Sequence, residues 1–399
     1  MKKQNLLAST IMMAVTGAST TAFAVPSITD YQGATSSYDD AYISGNFNAS
    51  DGNQGQSSYN LDLDLDYEKV LSSPDRNTKL DFNGSGSLAK GSTLGAESTN
   101  TYQALGSATV DNYFTPGSKA GFWYGKGELG ALKGAESIYS KATVGLGYGR
   151  VVNVTPMARS IRIIEELREN GFLKADPSNA VYNAVAKIID KEDEYRSKHG
   201  SADYQQYWVQ DIHSAIQSSG AVKGNLNARA ILSAYDVLTN ETISTRKNGW
   251  LVRAGVGAVL SDYDGQDGKP ALELGAEYHR PISNQIQFSN EAIATATLKD
   301  SDDGFNFNNA MSLTQEVSDK IDWVNKWNLA HSESDNAKRQ TTNTLSSAFL
   351  YKISNQLDFG VEARLTDDND RTDFDGTSNT VNNDDIDKSL NIGIKYRLK

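Results

Sequence analysis

From Tyr59 to Tyr67 every odd position carries a large apolar or aromatic side chain (Tyr59, Leu61, Leu63, Leu65, Tyr67). Every even position is polar (Asn60, Asp62, Asp64, Asp66). Strict period two is the pattern of a strand with one apolar and one polar face. It recurs in Leu357, Phe359, Val361, Ala363 and Leu365, which alternate with Asp358, Gly360, Glu362 and Arg364. It recurs again in Leu390, Ile392, Ile394, Tyr396 and Leu398, between Ser389, Asn391, Gly393, Lys395 and Arg397. Shorter stretches follow suit, among them Val144/Leu146/Tyr148, Trp250/Val252/Ala254/Val256 and Leu272/Leu274/Ala276/Tyr278. About fourteen such segments are present, roughly six between residues 40 and 150 and eight between 248 and 399, most about 10–13 residues long. Those near 102–113 and 341–351 alternate poorly, which leaves their facing open. A strand of a soluble sandwich averages ~5–6 residues, whereas a tilted strand crossing a bilayer needs ~9–11. The lengths match the second. The chain reads as an all-β transmembrane antiparallel barrel of about 14 strands, an even number as such barrels require.

Composition agrees once the alternation is known. A mean hydropathy of -0.51 over 399 residues excludes a bundle of membrane-spanning helices. It does not exclude a barrel, which needs apolar residues only at alternate positions. The absence of cysteine rules out disulfides, thiolate zinc sites, iron–sulfur clusters and thiol catalysis. The formal charge of -12 argues against nucleic acid as a partner. At the N-terminus, Lys2 and Lys3 precede an apolar stretch from Leu6 to Val15 and the A-x-A sequence Ala22-Phe23-Ala24. This is the form of a signal peptide spanning 1–24. Its removal would take the charge to -14 and place the chain in the cell envelope.

The connections carry a second regularity. Ser72–Asn77, Thr115–Lys119, Pro281–Asn284, Val317–Lys320 and Ser354–Gln356 are brief. Lys90–Thr101, Ser261–Pro270, His331–Gln340 and Thr366–Asp387 are longer and rich in Asp, Asn, Gly and Ser. Short and long alternate as periplasmic turns and external loops do in a membrane barrel. The last strand then resembles the C-terminal assembly signal of bacterial outer-membrane β-barrel proteins, in Asn391, Gly393, Tyr396 and Leu398. It departs from that signal in ending on Leu rather than an aromatic residue, with Lys399 beyond it. The resemblance is to the class as a whole and covers the strand regions. It implies the cell outer membrane, contact with its lipid and lipopolysaccharide, and insertion by the barrel-assembly machinery.

One segment departs from the β pattern. Thr155 followed by Pro156 reads as a cap and first helical residue, with Ile161, Ile164 and Leu167 at helical spacing before Gly171. Asp176-Pro177 precedes Val181, Val185, Ile188 and Ile189. A third helix over about Ala202–Ser218 carries Tyr204, Trp208, Ile212 and Ile216, and a fourth runs from Asn227 to about Leu238. The expected organisation is a signal peptide over 1–24, strands one to six over 25–154, a helical periplasmic insertion over 155–245, and strands seven to fourteen over 246–399. Four amphipathic helices suffice for a small domain with its own core, able to gate the barrel or to dock a periplasmic protein.

With apolar residues toward lipid, the polar positions collect in the lumen. The pore-lining candidates are Asp62, Asp64, Asp66, Glu128, Arg253, Glu273, Glu277, Glu291, Glu362 and Arg364. Two interiors fit them: one filled by cross-strand ion pairs, and a water-filled channel with mild cation preference from its excess of acids. Gly255, Gly257, Gly275 and Ser289 favour the channel by leaving space. Acidic loops at Asp262–Asp267, Asp300–Asp303 and Asp367–Asp375 lack the calcium-loop spacing and read as solvated. Trp250, Trp323, Tyr278 and Tyr351 fall near strand ends, as an interfacial girdle does. The four histidines (His199, His213, His279, His331) show no metal-ligand spacing and have no catalytic motif beside them. No metal, cofactor or enzymatic activity is therefore expected. The functional expectation is a porin-like channel for small polar solutes. The alternative is a non-conducting anchor whose insertion recruits a periplasmic envelope or polymer-export complex.

Overall fold

The computed structural model describes residues 26–31, 33, 35–241, 243–265, 268–298, 303–334, 337–354, 356–371 and 386–398. The expected signal peptide lies outside them, as do Asp267, Asp300, Asp302, Asp373 and Asp375 of the acidic loops. Fourteen strands form a closed antiparallel barrel. They are β1 (Ser36–Ser50), β2 (Ser58–Ser72), β3 (Arg76–Lys90), β4 (Ser98–Tyr113), β5 (Gly121–Leu132), β6 (Tyr139–Asn153), β7 (Lys247–Ser261), β8 (Lys269–Pro281), β9 (Ile286–Thr297), β10 (Gly304–Ser318), β11 (Ile321–Ser334), β12 (Ala337–Lys352), β13 (Leu357–Arg371) and β14 (Asp387–Arg397). Each pairs with the next in sequence, and β14 returns to β1. Among the described residues the closing seam is short: four residue pairs join β1 to β14, with Leu398 N donating to Ala41 O beyond them (2.8 Å), against fourteen pairs between β6 and β7.

The outer face is apolar. Leu129, Val144, Leu146, Val256, Leu274, Leu390 and Ile392 are all exposed on it. Such a continuous apolar belt is incompatible with water and fits the hydrocarbon of a bilayer. Exposed aromatics ring both borders: Trp123, Tyr148, Trp250, Tyr278, Tyr351 and Tyr396 at one end, Phe47, Tyr102 and Phe305 at the other. Trp323 lies between the first set, stacked on Phe349 at 5.7 Å. Among the described residues no helix is long and apolar enough to cross a membrane, so strands make the crossing. The chain is an outer-membrane β-barrel. The two poorly alternating segments are strands too. Leu105 on β4 and Leu350 on β12 turn into the lumen, which breaks the pattern. At 331–340 the expected long loop is mostly strand: β11 and β12 continue as a ladder to Ser334 and Ala337.

Four helices lie between β6 and β7: α1 (Thr155–Glu169), α2 (Asn179–Ile189), α3 (Glu192–Gln217) and α4 (Ala228–Thr239). The caps differ from the sequence reading. Thr155 is already helical after Val154, and its hydroxyl accepts from Arg246 N (2.8 Å) at the barrel junction. Asp176 pairs with Arg168 at 2.6 Å, and α2 starts after Ser178. α3 begins ten residues earlier than expected, because Glu192–His199 is helical without an apolar stripe. It breaks at Gly200, whose φ of 78° suits glycine. Asn227, read as the first residue of the fourth helix, is its cap instead, accepting from Arg229 N and Ala230 N. The four helices form two hairpins. Each turns on a left-handed glycine, Gly171 and Gly220, and the following segments pair through Leu173 and Val222. Ile161, Ile164, Leu167, Val185, Ile189, Trp208, Ile212 and Val237 make a shared core, which Ile28 and Tyr31 join from the segment before β1.

Tyr31 donates to Asp190 Oδ2 at 2.7 Å in the wall of this core. Burial pushes the Asp190 carboxyl up to about 6. A carboxyl raised on folding holds its proton better in the native state. Its contribution is therefore fully present below the ordinary carboxylate value and lost as pH rises through about 6. Glu165 and Glu241, also raised by burial, act in the same direction. The melting temperature of the helical signal is expected to fall between pH 4 and about 6.5. Asp190→Asn should flatten much of that slope, and an unchanged slope in the variant would contradict the assignment.

Candidate functional site

The interior is divided. On the β3–β9 side, side chains meet across the lumen and fill it. Lys126 and Lys141 are shared between Glu128 and Glu273, with Lys141 at 2.6 and 2.7 Å from the two carboxylates. Nearer the helix-bearing end lies a larger network. Arg253 grips Asp111 through Nε and Nη2 (3.1 and 2.8 Å) and reaches Glu277 Oε1 with Nη1 at 2.5 Å. Lys79 on β3 spans the lumen to Glu291 Oε2 on β9 (3.1 Å) and also contacts Glu68 (3.2 Å) and Asp81 (3.5 Å). Lys247 meets Glu68 at 2.6 Å.

Of the positions expected to leave space, Gly275 meets only ordinary contacts and Ser289 lines the open cavity described below, but other glycines on this side, Gly255 among them, hold rings. Phe122 and Tyr124 point inward from β5 and are wholly buried. A Cβ on Gly147 would overlap the Phe122 ring, and one on Gly145 or Gly255 would overlap Tyr124. Gly257 is likewise closed off, by Thr143 and the Ala142 carbonyl. Small residues in a lumen mark free volume only where no neighbouring strand sends a large side chain over them.

The other side is open. A cavity of about 1260 Å³ lies against chiefly β10–β14, β1 and β2. Asp40, Asp62, Asp64, Asp66, Asp322, Asp358 and Glu362 line it, with Lys326, Arg364, Lys395 and Arg397. Some of these are tied: Glu362 to Arg364 at 3.0 Å, Asp322 to Lys352 at 3.2 Å. Lys395 lies 3.7 Å over the Tyr42 ring. Of the ten pore-lining candidates, Asp62, Asp64, Asp66, Glu362 and Arg364 face this cavity. Glu128, Arg253, Glu273, Glu277 and Glu291 belong to the ion-pair networks opposite. Asn391 and Gly393 also line the cavity, while Tyr396 and Leu398 face outward from the same strand.

At the helix-bearing mouth the four-helix domain is bound to the rim at widely separated strands. Arg246, wholly buried, donates to Glu316 Oε1 on β10 (2.7 Å) and to the backbone carbonyls of Asn284 (3.2 Å) and Ser244 (3.0 Å). Arg162 of α1 meets Glu316 Oε2 (3.2 Å) and Asp319 (2.7 Å). Ser37 on β1 donates to Asp193 of α3, and Thr245 to Asp40 on β1, both at 2.7 Å. Contacts at β1, at the β8–β9 turn and at β10, with the covalent tether at β6–β7, place the domain across the opening.

Two histidines have partners that sequence spacing did not reveal. His331 Nδ1 lies 2.7 Å from Thr341 Oγ1 on the paired strand. His279, buried on the lumen face of β8, has Nδ1 3.0 Å from Ser289 Oγ, with Glu277 and Glu291 beside its other nitrogen. Glu277 and His279 are two apart and so share a strand face, and β9 sets Glu291 opposite Glu277 and Ser289 opposite His279. The signal was present in the sequence, but only for a reader who already had the hairpin register.

Comparison with known proteins adds little. A family model described as "Protein of unknown function, DUF481" matches residues 240–353, from the end of α4 through β12. No curated protein matches the chain. Among solved structures, the chain is similar to an anion-selective porin from Comamonas acidovorans (9% identity, 90% of this chain and 99% of that one, TM-score 0.33). It is also similar to the outer membrane protein Omp33 of Acinetobacter baumannii (9%, 92% and 100%, TM-score 0.29). A third is OmpT of Vibrio cholerae, with loop L8 deleted (9%, 91% and 99%, TM-score 0.29). Likenesses this distant leave the function to be read from the chain's own residues.

Proposed function

We propose that this chain is a porin-like channel of the outer membrane for small hydrated solutes, with its helical domain facing the periplasm as a cover over the inner mouth. The observation that carries this reading is the polar cavity of about 1260 Å³ inside the barrel wall. An anchor with no transport role has no use for it. The closed side stiffens the wall, and passage runs along β10–β2. Seven carboxylates against four basic groups on the cavity wall give a negative interior, which favours cations. The three β2 aspartates, unbroken by any base on their own strand face, carry most of that preference. On this reading Tyr396 and Leu398 belong to the strand end offered to the barrel-assembly machinery.

The barrel is built for a clean deletion. Val154 N donates to Arg246 O at 2.8 Å, and β6 pairs with β7 as far as Asn153 and Lys247, so a tight turn can replace residues 155–243. In planar bilayers the trimmed barrel is expected to conduct more than the intact chain, with a cation-selective reversal potential. Changing Asp62, Asp64 and Asp66 together to Asn should move that potential toward zero. If neither the intact nor the trimmed barrel conducts, the channel reading fails and the anchor reading replaces it.

A further inference from the structure

We propose that Glu277, His279 and Glu291 form a binding site for one divalent transition-metal ion of the zinc class, set in the filled side of the barrel. The three offer ligand atoms that all lie within 4.8 Å of one another. His279 Nε2 is 3.7 Å from Glu277 Oε2 and 3.7 Å from Glu291 Oε1. Both distances are too long for hydrogen bonds and close to the roughly 3.4 Å edge of a tetrahedron with zinc–ligand bonds of about 2.0–2.1 Å. The imidazole is 2% exposed, yet Nε2 has no hydrogen-bond partner. A buried polar atom left in this state calls for an explanation, and an ion between it and the two carboxylates supplies one.

Every ligand is also held from behind. The Glu277 oxygen not facing His279 takes Arg253 Nη1 at 2.5 Å, and the corresponding Glu291 oxygen takes Lys79 Nζ at 3.1 Å. Ser289 Oγ, 3.0 Å from Nδ1, fixes the ring with Nε2 turned to the carboxylates. This is the outer support that orients metal ligands. One free oxygen per carboxylate and one bare imidazole nitrogen converge.

The charge count agrees. In the balanced network nearer the other end, two lysines face two glutamates. Among the described residues of the network around His279, five carboxylates are in direct contact with three cations, an excess of two negative charges. Arg150 nearby spends its guanidinium on the carbonyls of Ser73 and Pro74. One divalent ion restores neutrality. An imidazole ligand and a low protein ligand count suit zinc-class ions, whereas calcium and magnesium favour all-oxygen shells. A Ser289–His279 nucleophile is not supported. Ser289 lies within the β8–β9–β10 ladder, whose backbone N–H groups are committed to strand pairing and offer no oxyanion site.

The test uses the full chain, untagged, refolded in detergent and stripped with chelator. Equilibrium dialysis against Zn²⁺ should show one tightly bound equivalent. His279→Gln and, independently, Glu291→Gln should weaken that binding by about 100-fold, and Ser289→Ala by about tenfold, as loss of outer support does. Heat-modifiable migration reports whether each variant has closed its barrel. X-ray absorption on the zinc-loaded wild-type protein needs no variant and should show a single imidazole with oxygen ligands. Absence of a stoichiometric ion, wild-type affinity in folded His279→Gln, or a shell with two imidazoles overturns the proposal.

Discussion

Replacing Arg246 with methionine is expected to loosen the helical domain from the barrel rim, with the barrel itself left closed. Arg246 is fully buried and ties Glu316, Asn284 and Ser244 together at the point where the chain re-enters the barrel. Removing one member of a buried pair costs about 3–5 kcal/mol, because the abandoned charge stays buried. Arg162 partly covers Glu316 from its other oxygen (3.2 Å), which places the expected loss at the lower end of that range. Limited proteolysis within 155–245 should accelerate, while heat-modifiable migration stays as in the wild type. In bilayers the same variant should conduct more than the parent, the result also expected of the trimmed barrel. Protease resistance equal to the wild type would show that the rim contact is dispensable.

The second large effect lies in the helical core. Trp208 is nearly fully buried among α1–α4, and its indole N–H donates to Ile188 O at 2.8 Å. Trp208→Ala removes the largest side chain of a core that serves four short helices, a loss of about 3–5 kcal/mol. A domain of this size has only about 5–15 kcal/mol in total. The helical signal at 222 nm should therefore melt on the order of 20 °C earlier, with the β signal unmoved. A single transition shared by helix and strand in both proteins would mean that the domain and barrel unfold as one unit.

These expectations depend on features of unequal visibility. The strands were legible because lipid demands an apolar residue at every second outward position, and Leu61–Tyr67 or Leu390–Leu398 can satisfy that in only one way. The helical insertion was legible from its stripes, apart from Glu192–His199, which is helical but has no such stripe. The lumen was not. Alternation says that Gly145, Gly147 and Gly255 face inward, but not that Phe122 and Tyr124 lie over them, since that depends on strand stagger. Nor does it show which acids remain free. Asp62, Asp64 and Glu277 look alike in sequence, yet the first two face open volume and the third is held by Arg253. The Glu277–His279–Glu291 grouping needed the pairing of β8 with β9, which no spacing along one strand reveals.

The short seam between β1 and β14 has a mechanical meaning. A cylinder held by four residue pairs along one line, and by up to fifteen along others, parts first along that line when heated or pulled. β6 and β7, which carry the helices, lie on the far side of the ring from that line. From there the helical domain reaches back across the opening to β1, through Ser37 and Asp40, and gathers in Tyr31 just ahead of it. The strand beside the short seam thus has a second fastening outside the barrel's own ladder, which ties it to the opposite wall through the helices.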